Sequence, residues 1–82
     1  MKSQLFSYAI SNRNQVKFLY YMDEIVLHPY YISKERNGRK VIYGRMPNSA
    51  VIRKYELGRI ANLKVVKAIK FSPIIPLMSK VS

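Results

Sequence analysis

From Gln15 the chain alternates strictly. Val16, Phe18, Tyr20 and Met22 fall on one side of an extended backbone, with Lys17, Leu19 and Tyr21 on the other. A period of two selects a strand over a helix, and most of the remaining chain reads the same way. After a turn at Asp23-Glu24, Ile25 to Ser33 forms a second strand that is apolar on both faces apart from His28. Pro29 removes a ladder donor from it and predicts an edge position or a bulge. Asn37-Gly38, flanked by Arg36 and Arg39, predicts a two-residue type I′ hairpin, a turn that needs positive φ at both central positions. The third strand runs from Lys40 to about Met46. Met46-Pro47-Asn48-Ser49-Ala50 turns the chain into a fourth, Val51 to Leu57. Gly58 interrupts the alternation, Arg59 to Asn62 reads as one helical turn, and Leu63 to Lys70 is the fifth strand. Leu63, Val65 and Ile69 are candidates for its inner face, but Val66 and Ala68 opposite them leave the register open.

Ahead of the strands, Leu5, Phe6, Ala9 and Ile10 have helical spacing, with Ser3 as the expected cap and Ser11-Asn12-Arg13-Asn14 as the stop. Short strands, tight turns and one helix predict a mainly β fold, a small five-stranded SH3-like (Sm-like) barrel with the helix across one end. The 82 residues make one domain, 1–82, with the helix over about 3–12, the barrel over about 15–70 and an extended tail over 71–82. A domain of this size buries only about 60% of the surface its unfolded chain exposes. The tail, Phe71 to Met78, is apolar and carries two prolines, so it packs along the barrel or docks on a partner. No segment resembles a signal peptide or approaches the ~20 apolar residues of a spanning helix, and no membrane is expected. The absence of cysteine excludes disulfides and fits a reducing compartment, so cytoplasm is expected.

Fifteen Lys and Arg face four Asp and Glu, a net charge of +11. That exceeds the roughly 2 to 8 units that keep a small domain soluble, and it predicts a polyanionic partner, nucleic acid first. Catalysis finds no footing. One histidine cannot build a multi-histidine metal centre, and His28 beside Pro29 reads as structural. Asp23 and Glu24 are adjacent in a turn, Glu35 and Glu56 answer nearby basic residues, and Gly38, Gly44 and Gly58 are too dispersed for a phosphate loop. We expect no catalytic residues, no metal, no cofactor and no enzyme.

The segment Arg53-Lys54-Tyr55-Glu56-Leu57-Gly58-Arg59-Ile60 sets an arginine at each end of what reads as the inner face of a strand. A guanidinium is rarely buried alone, so that face should open at its ends onto solvent, a pocket or an anion. Taken with Val16-Lys17-Phe18-Leu19-Tyr20-Tyr21, Val26-Leu27-His28-Pro29-Tyr30-Tyr31-Ile32 and Val41-Ile42-Tyr43-Gly44, the order resembles a WYL domain, the SH3-like, Sm-like barrel of bacterial transcription regulators. Ile42-Tyr43-Gly44 stands where that family has its name tripeptide, and Gly58 stands where an acidic residue is frequent. The resemblance implies a ligand-sensing module without an operator reader of its own, regulating transcription or a defence system. It implies a basic pocket of Tyr20, Tyr43, Arg53 and Arg59 for single-stranded DNA or RNA or a nucleotide. Arginine offers a planar fork to phosphate and tyrosine a face to a base. Lys17, Lys40, Arg45 and Lys54 are expected to form the surrounding basic surface. A homo-oligomer or a separate DNA-binding protein is a further possible partner. The alternative reading is a protein-interaction or oligomerisation barrel that uses the edge at Pro29 and the apolar tail, its charge serving solubility.

Overall fold

The computed structural model describes residues 1–71, the side chains of 68–70 excepted. Of the apolar tail, only Phe71 is among them, and it is buried. Helix α1 (Lys2–Asn12) precedes strands β1 (Asn14–Tyr20), β2 (Asp23–Lys34), β3 (Lys40–Arg45) and β4 (Ile52–Glu56). A 3-10 turn, Leu57–Arg59, leads into β5 (Ile60–Lys70). The domain is mainly β, as expected, with the order β4-β3-β2-β1-β5 in one antiparallel sheet. The last strand returns to pair with the first. The two edges, β4 and β5, are joined by the 3-10 turn and not by a ladder, so the expected barrel is not closed.

The core explains the pattern of the sequence. Phe6 and Ala9 of α1 lie on Val16, Phe18, Ile25, Leu27, Ile42, Tyr55, Leu57 and Ile60, drawn from all five strands and the 3-10 turn. Phe6 meets Phe18 edge to face at 6.2 Å. Full burial of each such ring is worth about 1.5–3 kcal/mol. Leu63 and Val65 pack against the same core, which resolves the inner face of β5, and the Ile69 side chain is outside the described residues. Ser3 is not the helix cap. The helix starts one residue earlier, Met1 caps it without a side-chain hydrogen bond, and Lys2 Nζ donates to Leu57 O at 3.0 Å, tying the helix start to the 3-10 turn. Arg13, at φ 54°, ends the helix in the left-handed region.

Three connections differ from the sequence reading, each through a backbone that hydropathy does not encode. Tyr20 pairs with Asp23, so the first turn is Tyr21-Met22, with Tyr21 at φ 59°, and Asp23-Glu24 already belongs to β2. At the second hairpin, Lys34 pairs with Lys40 across the longer loop Glu35 to Arg39. Only Gly38 takes a positive φ there, 85°. Gly38 N–H donates to Glu35 O at 2.9 Å, and Asn37 Oδ1 accepts from Arg39 N–H at 2.9 Å. Asn37 thus uses its side chain to hold the loop instead of occupying a type I′ position. In the third connection, the 3-10 turn comes earlier than expected. Asn62, at φ 54°, sits in β5 where the ladder to β1 shifts register between Lys17 and Leu19.

Pro29 lies in a central strand yet obeys its constraint. The β1–β2 ladder stops at Val16–Leu27, and the register to β3 shifts between Pro29 and Tyr31. Opposite it, Gly44 admits the β2 backbone. A Cβ there would stand 2.5 Å from His28 O and 2.9 Å from Leu27 Cγ. Gly44→Ala should therefore cost about 1–3 kcal/mol. Gly58→Ala, where an added Cβ meets nothing within 4 Å, should stay within about 0.5 kcal/mol of wild type. Thermal denaturation of the two variants, read by circular dichroism, checks this contrast.

Candidate functional site

Tyr20 ends β1, and its ring is held edge-on by Tyr55 at 4.9 Å, Tyr21 at 5.0 Å and Phe18 at 6.5 Å. Its hydroxyl accepts the Glu56 N–H at 3.2 Å, at the point where β4 gives way to the 3-10 turn. The left-handed backbone at Tyr21 sets that exposed side chain beside Tyr20, and the Arg59 guanidinium lies 5.5 Å from its ring centroid. At the other end, Arg53 shares a strand face with Tyr55. Burial pushes the Tyr55 phenol above its usual pKa, and the neighbouring Arg53 opposes that rise. The result is an arc: Arg53, Tyr55, Tyr20, Tyr21, Arg59.

Glu56 completes the arc's electrostatics. Its Oε1 accepts from Arg59 Nε at 2.7 Å, and its Oε2 lies 3.4 Å from Arg39 Nη1. The bond from Arg59, against the effect of desolvation and with help from Arg39, holds the carboxyl below the ordinary carboxylate range. Beside it opens a cleft of about 430 Å3 lined by Arg39, Lys40, Glu56, Leu57, Gly58 and Arg59.

Three of the four residues expected in a basic pocket, Tyr20, Arg53 and Arg59, belong to this arc. Tyr43 does not. Its neighbour Ile42 pairs with Tyr55 and is buried in the core, whereas Tyr43 pairs with Lys54 and stacks on Tyr31 at 4.7 Å on the opposite face. The basic surface also divides. Lys54 pairs with Glu35 at 2.9 Å, and Lys17 with Glu24 at 3.6 Å while standing directly opposite Lys64 on β5. Arg45 is a clamp and not part of a loose charged surface. It donates to Tyr30 Oη at 3.1 Å and to the carbonyls of Met46, Pro47 and Ser49 at 3.2–3.3 Å, closing the β3–β4 turn. Tyr21, Tyr55 and Arg39 were not singled out from the sequence. Tyr55 could have been, from its place two residues beyond Arg53. Tyr21 could not, because only its positive φ brings it to this edge.

His28 is built into the interior. It is buried, its Nε2 lies 3.0 Å from Gln15 Oε1, and its ring stacks on Phe71 at 4.5 Å. Among the described residues, Nδ1 is buried without a hydrogen-bond partner. Burial first, then Arg45, lowers its pKa from 6.5. Among the described residues there is no group of three or more His, Cys, Asp or Glu able to hold a metal, and no helix long and apolar enough to cross a membrane. Compared with known proteins, the chain matches no family model, no curated protein and no solved structure. Its site is read from its own chemistry.

Two outcomes are expected. Tyr20→Phe strips the Glu56 N–H of its acceptor and should cost about 1–3 kcal/mol of stability, whereas Tyr21→Phe, on an exposed ring, should cost little. For His28 the folded state favours the neutral ring, so its contribution is complete above the unfolded pKa of 6.5 and is lost as pH falls below it. Melting temperature should drop between pH 7.5 and 5.5 in wild type, and less in His28→Gln. Equal drops would assign the acid sensitivity elsewhere.

Proposed function

We propose that this domain is a WYL-type sensing module that binds single-stranded nucleic acid or a nucleotide along the arc from Arg53 to Arg59, and so regulates a transcription or defence partner. The observation that carries the reading is that Tyr20, from β1, is brought between Arg53 and Arg59 of the β4 segment around a shared set of tyrosine rings. The arc keeps three of the four residues that the WYL resemblance implies, Tyr20, Arg53 and Arg59. Tyr20 and Tyr55 form a rigid floor, exposed Tyr21 offers a face for a base, and the two guanidinium forks serve phosphate. Tyr43, on the opposite face, is left out of the pocket. A cysteine-free chain suits cytoplasm as the place of action. The second reading, a protein-interaction or oligomerisation domain, draws on the exposed apolar residues Leu5 and Tyr8 beside Val65 on the α1–β5 side.

Salt separates the two. Fluorescence anisotropy with a short labelled single strand should give a log–log salt slope between about −2 and −3, the value for three or four neutralised phosphates. Arg53→Ala or Arg59→Ala should each weaken binding by about 1.5–3 kcal/mol, and lysine at either position should not restore it. Lys64→Ala should matter far less. Losses equal at Arg53, Arg59 and Lys64 would reduce the arc to a diffuse basic surface, and binding indifferent to salt would favour the protein-interaction reading.

A further inference from the structure

We infer that the cleft between the β2–β3 hairpin and the 3-10 turn, walled by Arg39, Lys40 and Arg59, is a site for a terminal phosphate group that Glu56 occupies from within the chain. The choice of a phosphorylated ligand rests on the nucleic-acid reading. The site itself rests on how Glu56 is held. Its two carboxylate oxygens are divided between two guanidiniums, Oε1 with Arg59 at 2.7 Å and Oε2 with Arg39 at 3.4 Å. Two oxygens of one phosphoryl group make the same kind of contact with a pair of arginines. Lys40 adds a third cation to the lining, so one carboxylate leaves the cleft short of negative charge. A phosphomonoester, carrying about −1.5 to −2 charges and three acceptor oxygens, matches that excess better than an internal diester with its single charge.

Displacement of Glu56 is cheap in structural terms. The Arg39 and Arg59 side chains are 59% and 48% exposed, and ion pairs that open to water contribute little to stability. The Glu56 backbone stays anchored through its N–H to the Tyr20 hydroxyl, and Lys2 holds the Leu57 carbonyl, so the carboxylate can swing out while β4 and the 3-10 turn keep their places. Among the described residues, nothing lies within 4 Å of the position a Cβ would take at Gly58. The volume, about 430 Å3, falls in the range of small-ligand sites. Arg59 belongs to both cleft and arc, so a terminal phosphate bound here leaves the attached nucleotide next to Tyr21.

The test compares a labelled short single strand carrying a terminal phosphate with the same strand ending in a hydroxyl, and uses pyrophosphate alone as competitor. Wild type should prefer the phosphorylated strand. Glu56→Gln should raise affinity for it by roughly tenfold, the size of one charge-assisted contact. Glu24→Gln removes the same charge at the Lys17 pair and should change binding far less. Arg39→Ala should abolish the preference for the phosphorylated end while leaving the hydroxyl-ended strand bound, and Lys40→Ala, outside the bonds to Glu56, repeats the question if Arg39→Ala unfolds on melting. Equal gains in Glu56→Gln and Glu24→Gln, or no preference for the phosphate end, overturn the inference. Oligonucleotide binding that depends on Arg53 but not on Arg39 or Glu56 removes the cleft and keeps the nucleic-acid reading. Pyrophosphate binding that depends on Arg39 and Glu56, with no oligonucleotide binding, keeps the cleft and removes that reading.

Discussion

Strands β1 and β5, distant in sequence, are hydrogen-bonded to each other, Val16 opposite Val65 and Tyr20 opposite Ile60, and the core is built around that long-range ladder. A chain this short has little apolar surface to spare. Without β5 beside β1, Leu63, Val65 and Ile60 would leave the core, and the helix that packs on Phe18 through Phe6 would lose part of its floor. The open side of the sheet is then secured by side chains in place of a ladder: Lys2 on Leu57 O, and Tyr20 on Glu56 N–H.

That second contact sets the candidate site at the open side of the sheet. Tyr20 commits its ring to the aromatic cluster and accepts a backbone N–H at its hydroxyl, so it is a rigid support. The groups free to meet a ligand are those set around it on irregular backbone, Tyr21 in its left-handed turn and Arg59 in the 3-10 turn. The site therefore combines a fixed aromatic support with an exposed ring and a guanidinium on irregular backbone.

The elements most legible in the sequence were those governed by alternation. Strands from Val16 through Glu56 were readable because Val16, Phe18, Leu27, Ile42 and Tyr55 each point to one core. The turns were less so. Tyr21 and Asn62 adopt positive φ without being glycine, and Asn37, beside the glycine that signals a type I′ turn, serves through its side chain. The place of Tyr43 was not legible for a related reason. Tyr43 lies one residue from Ile42, and a shift of one position in a strand moves a side chain to the other face. The answering of Glu35 and Glu56 by nearby cations was legible, since acids are scarce in this chain and basic residues surround each one.

The ladder that secures the fold also carries a conflict. Lys17 and Lys64 stand directly opposite one another across β1 and β5, with Glu24 answering only Lys17. Like charges in that position repel, and a net charge of +11 adds a diffuse self-repulsion to the compact state. Dissolved ions screen both. Rising ionic strength therefore tightens the strand pairing that holds the molecule together, and under the proposed reading the same salt would weaken the grip on a polyanion, so fold and ligand would respond with opposite signs.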